Sequence, residues 1–169
     1  MSLTEKWSKD DNMSLIERIL RIDLTEQKII KKKVPLEFFE NYLGGRGIGA
    51  KILFNELKPR TDPLSPENVM IYSTGTLSGT FAPASAKLTI VSKSPETNFY
   101  CKTSVGGHFS PELKFAGYDC IVVSGASQEP VYINIMDDLV EIKDANVVWG
   151  RDVRETDRLL KRELKDKKN

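Results

Sequence analysis

Apolar positions change their period several times along this chain, and the changes mark its elements. Ile16, Leu20, Ile22 and Leu24 recur at even spacing, the mark of a half-buried strand from Leu15 to Leu24. Thr25-Glu26-Gln27 interrupts the run and Lys28 to Lys32 resumes it, which predicts a β-hairpin. Pro35 then opens a helical period carried by Leu36, Phe39, Tyr42 and Leu43, and Gly44-Gly45 ends it. A second helix follows at once: Ile48, Ile52, Leu53 and Leu57 share one face between Arg46 and Pro59.

Beyond Pro59 the elements shorten. Arg60 to Asn68 has the prolines and turn formers of a compact loop, and Val69 to Ser73 reads as a buried strand. Thr74 to Thr80 is a Gly/Ser/Thr loop whose hydroxyls and N–H groups suit an anion, although plain turns share that composition. Lys87 to Ser92 and Phe99 to Lys102 predict strands, as does Cys120 to Val123. Val131 to Ile135 and Leu139 to Ile142 predict a second hairpin, followed by a helix from Arg154 to Leu164. Hairpin then helix thus occurs twice, and the second occurrence lacks the strands that follow the first. The fold class expected is α+β: two packed β-sheets with flanking helices, built from duplicated hairpin-helix-strand units of which the second is truncated. Residues 1–14 are read as a leader or added residues, and 15–169 as a fragment of a longer chain.

The stretch from Lys102 to Asp119 has a binding-loop composition. Gly106 and Gly107 stand side by side, where glycine lets a ligand approach the main chain closely. The amphipathic residues that follow, Glu112 to Asp119, would anchor that loop. The other glycine cluster, Gly44 to Gly49, lacks the preceding strand that a dinucleotide fingerprint requires, and reads as a close-packed helix junction with Arg46 solvated or on a neighbouring acceptor.

Composition narrows the chemistry. With 25 Lys+Arg against 24 Asp+Glu the net charge is +1, which argues against a nucleic-acid binder. No apolar run approaches the roughly 20 residues needed to cross a bilayer, and the expected compartment is the cytoplasm. Cys101 and Cys120 lack CxxC spacing and read as buried free thiols. His108 is the single histidine, too little for a hydrolytic triad, so no catalytic residue is assigned.

Taken together, the strings Tyr42-Leu-Gly-Gly-Arg-Gly, Asp62-Pro-Leu-Ser-Pro-Glu-Asn, Thr74-Gly-Thr-Leu-Ser-Gly-Thr-Phe-Ala-Pro, Ser92-Lys-Ser-Pro and Gly106-Gly-His-Phe followed by Glu112-Leu-Lys-Phe-Ala-Gly-Tyr-Asp are ordered and spaced as in one family. From about Arg18 onward the chain resembles the N-terminal domain of the aldehyde ferredoxin oxidoreductases. The resemblance implies an oxidation of aldehydes to carboxylic acids with ferredoxin as electron acceptor. It further implies a tungsten or molybdenum ion held by two pterins, a magnesium bridging the pterin phosphates, and a [4Fe-4S] cluster whose ligands lie outside this chain, in missing C-terminal domains. A homo-oligomer is compatible with it.

Residue by residue, the resemblance puts the family's basic pterin contact on Lys87 and its loop on Ser104, Gly106 and Gly107. The main-chain carbonyl of Ser104 is the implied magnesium ligand. Lysine in place of the common arginine keeps the charge and loses the bidentate fork, and serine in place of the common asparagine leaves a backbone ligand intact. These two departures motivate the alternative of a stand-alone, non-catalytic binding or scaffolding module.

Overall fold

The computed structural model describes residues 18–164, so the leader 1–14 and the predicted strand residues Leu15 and Ile16 lie outside the described residues. Strands β1 (Arg18–Asp23) and β2 (Lys28–Lys33) form the expected hairpin, and α1 (Leu36–Tyr42) and α2 (Gly45–Glu56) follow it. Then come β3 (Met70–Thr74), β4 (Leu88–Lys93), β5 (Tyr100–Val105), α3 (Phe109–Phe115), β6 (Cys120–Ser124), β7 (Val131–Met136), β8 (Leu139–Asp144) and α4 (Val153–Glu163). The α+β class holds, with four helices and two sheets among the described residues.

One sheet has six strands in the order β2-β1-β6-β3-β4-β5, and the other is the β7-β8 hairpin. The contacts divide the chain after Ala126, the first unit holding the large sheet and the second the hairpin with α4. Within the first unit β1 and β6 are parallel and every other pair is antiparallel. Strand order is where local pattern loses its reach: β6 inserts between β1 and β3, pairings that span about a hundred and about fifty residues of chain respectively.

Alternation along the strands directs one set of side chains toward α1 and α2. Ile19, Ile71, Val91, Cys120 and Val122 meet Phe39, Ile48, Ile52 and Leu53 in a single cluster. Gly49 makes this contact close, because a Cβ there would lie 2.8 Å from Val91 Cγ2. Gly44, at φ +82°, forms a β-bridge to Gly75 and leaves no room for a side chain, its would-be Cβ lying 2.9 Å from the Thr74 carbonyl. The glycine cluster is therefore the close-packed junction expected, with Arg46 exposed. At the far end of α2, Glu56 pairs with Arg21 of β1.

The two edges of the large sheet differ. β2 presents Lys28, Lys31, Lys32 and Lys33 to solvent, charges that discourage pairing with another chain. β5 is exposed along its whole length and carries one lysine. The compact loop before β3 is held as anticipated, with Asn68 donating to the carbonyls of Pro63 and Lys93, and Lys93 Nζ donating to Thr61 at 2.6 Å.

Candidate functional site

The site residues anticipated from sequence gather at one end of the β4-β5 ladder. Leu88 pairs with Val105 and Thr89 with Ser104, and one step further along that register lie Lys87 and Gly106. Ser104 belongs to β5 rather than to a loop after Lys102: its partner Thr89 continues the ladder, and tertiary pairing prolongs a strand that composition ends early. Thr89 lies on the face that receives α2, its Oγ1 3.5 Å from the position a Gly45 Cβ would take. Paired residues of an antiparallel ladder share a face, so the Ser104 side chain faces the same way.

Lys87, Ser104, Gly106, Gly107 and His108 are all exposed. A Cβ added at Gly106 or Gly107 would meet nothing within 4 Å, and Gly107 sits at φ +100°, a conformation that side chains resist. Lys87 forms no ion pair among the described residues. The result is an open main-chain cradle beside an uncommitted cation, a donor set suited to a phosphate and its counter-ion. No group of three or more His, Cys, Asp or Glu that could hold a metal occurs among the described residues. Across the same face, the Tyr100 phenol is raised above its ordinary pKa by burial, against the pull of the Arg46 guanidinium at the start of α2.

In the Thr74 to Thr80 loop three of the hydroxyls are engaged within the protein. Thr74 Oγ1 donates to the Asp119 carbonyl, Ser78 Oγ to Ser85 and Thr80 Oγ1 to Leu77, so these hydroxyls close turns and tie segments together. Cys120 is buried as expected, whereas Cys101 is exposed, because it lies on the open edge strand.

The packing element behind the cradle starts earlier than its apolar pattern suggests, as α3 from Phe109 to Phe115. Phe109 and Phe115 remain outside while Ser110, Leu113 and Lys114 turn inward, a blurred amphipathic pattern. Lys114 forms a buried ion pair with Asp119, and the Asp119 carbonyl accepts from both the N–H and the hydroxyl of Thr74. One connector residue thus joins α3 to the end of β3. Ser110 went unnoticed in sequence, since a serine inside a short helix has no local signature; only its partners across the fold expose it.

Comparison with known proteins places the chain. The family model described as "Aldehyde ferredoxin oxidoreductase, N-terminal domain" matches residues 19–169. A tungsten-containing aldehyde ferredoxin oxidoreductase of Pyrococcus horikoshii is 46% identical over 150 residues, 89% of this chain and 25% of that protein. An aliphatic sulfonate oxidoreductase, WOR-like subunit, of Pyrococcus furiosus is 39% identical over 136 residues, 79% of this chain and 22% of that protein. Among solved structures, the active-site complex BamBC of benzoyl coenzyme A reductase with 1,5-dienoyl-CoA is similar at a TM-score of 0.89 and 38% identity, covering 92% of this chain and 24% of that one. The chain thus spans about a quarter of the length of the relatives it matches.

Proposed function

Since this chain belongs to the aldehyde ferredoxin oxidoreductase family by its match to the N-terminal-domain model, we propose that it is the cofactor-bearing N-terminal domain, residues 15–169, of a longer tungsten oxidoreductase. The observation that carries the reading is the junction of Lys87 with the open Gly106-Gly107 main chain at the end of one ladder. Lys87 would hold a pterin phosphate, the Ser104 carbonyl a bridging magnesium, and the glycine N–H groups the remaining phosphate oxygens. When bound, a bis-pterin tungsten or molybdenum group supplies the two-electron redox chemistry of aldehyde oxidation to a carboxylic acid. What this chain's own residues do is bind and orient: an exposed lysine neutralises charge, and a side-chain-free backbone segment admits a large anion without steric penalty.

The proposal extends to the whole protein as an aldehyde oxidoreductase passing electrons through a [4Fe-4S] cluster, with ligands outside this chain, to ferredoxin in the cytoplasm. The similarity to proteins named for a sulfonate and for a coenzyme A thioester supports placing the choice of substrate outside this domain. Metal and pterin analysis of the full-length protein, made in a host that assembles the cofactor, tests the reading. Tungsten or molybdenum with pterin is expected, and Ser104→Ala is expected to change their content by less than about twofold, because a main-chain carbonyl survives the substitution. Full-length protein with neither metal nor pterin would instead support a binding module without catalysis.

A further inference from the structure

Behind the cradle lies a chain of buried hydroxyls. Ser110 and Ser78 are 1% and 3% exposed. Ser78 Oγ donates to the Ser85 carbonyl at 2.9 Å. A hydroxyl has one proton, so Ser78 then accepts from Ser110 Oγ, also at 2.9 Å. The single Ser110 proton is shared with a second, longer acceptor, the Lys87 carbonyl at 3.3 Å. Both receiving carbonyls belong to the short segment that delivers Lys87 into β4, and Ser110 stands three residues after Gly107. The relay therefore clasps the two arms of the cradle, the lysine arm and the glycine arm, which are otherwise joined through the end of the β4-β5 ladder.

We propose that Ser110, acting through Ser78, is a positioning residue that fixes the backbone of Lys87 relative to Gly106-Gly107 and so sets the spacing at which the cradle receives an anionic group. A buried hydroxyl cannot exchange its partner for water, so losing Ser110 removes both the bond to the Lys87 carbonyl and the proton that Ser78 accepts, and leaves the Ser85 carbonyl held by Ser78 alone. The choice of partner supports the assignment. In the first turn of α3 a serine would ordinarily bond to its own helix, and this one reaches across 32 and 23 residues instead. That the received group is the pterin cofactor rests on the function proposed above; the clasp itself rests on the hydrogen bonds.

Two measurements test it separately. In the 169-residue chain without cofactor, backbone 15N order parameters are expected to fall at Lys87 and Gly107 in Ser110→Ala while those of β1 and β6 stay unchanged. Unchanged order at both sites would overturn the clasp. In the full-length holoenzyme, Ser110→Ala should release tungsten about three- to tenfold faster on prolonged gel filtration, Ser78→Ala faster than wild type by a smaller factor because the Ser110 bond to the Lys87 carbonyl remains, and the double variant no faster than Ser110→Ala alone. Release at the wild-type rate in both single variants, or additive effects that follow a drop in Tm, would also overturn it. If Ser110→Ala does not fold, Ser78→Ala, which removes one of the two acceptors and the link to Ser85, carries the test, and release at the wild-type rate would then overturn the relay. Wild-type full-length protein isolated without tungsten or pterin would refute the cofactor reading and leave the order parameters to decide the clasp.

Discussion

Two thiols of the same sheet differ entirely in their surroundings. Cys120 lies at the sheet's centre, where burial pushes its pKa well above the ordinary thiol range despite the opposing influence of the Ser73 hydroxyl and Arg21. Cys101 stands exposed on the edge strand β5. A disulfide reagent at pH 8 is therefore expected to modify one thiol per native chain and the second only after denaturation; rapid modification of both would contradict the burial. Sequence reading had both cysteines buried, and the reason it missed Cys101 is general. A strand's own residues say that it pairs, and only the partner list says that it pairs on one side. Lys87, Gly106 and Gly107 were legible because charge and glycine act where they stand. Ser110 was not, because its role depends on carbonyls 23 and more residues away.

At the scale of elements, hydrophobic period and glycine placement carried most of the fold. Both hairpins, α1, α2 and α4 lie where the pattern puts them: α1 and α2 bury apolar residues against the large sheet, the hairpins carry ordinary turn signals, and α4 starts at the Asp152 cap. The Gly44 to Gly49 junction shows the energetic side of that legibility. Val91 is β-branched and fully buried, so it cannot swing aside for a side chain at Gly49. Gly49→Ala should cost about 1–3 kcal/mol in chemical denaturation by forcing α2 away from β4; a variant as stable as wild type would mean that the helix is looser than the 2.8 Å approach implies. The boundaries of β5 and α3 moved for a shared reason. Thr89 extends one by cross-strand pairing, and tertiary bonds to Ser110 and Lys114 support the other where its exposed phenylalanines obscure the period.

For the molecule as a whole, the two edges of the large sheet point to different surroundings. The lysine-lined β2 edge is suited to water, whereas beyond β4 the exposed residues Val105, Phe109 and Phe115 follow one another closely in sequence. Exposed apolar residues in such a run suit a contact surface rather than open water. The family lies in the ordered motifs and the sheet that displays them.

Lys87 and the Gly106-Gly107 backbone are proposed to receive an anionic cofactor, and charge reversal at Lys87 is the test of that role. Lys87 is exposed and free of ion pairs among the described residues, so Lys87→Glu should leave the fold and Tm close to wild type. In the full-length protein, tungsten and pterin content after gel filtration is expected to fall about tenfold or more, the scale of a lost charge-assisted hydrogen bond compounded by repulsion. Wild-type cofactor content in a correctly folded Lys87→Glu protein would contradict the account.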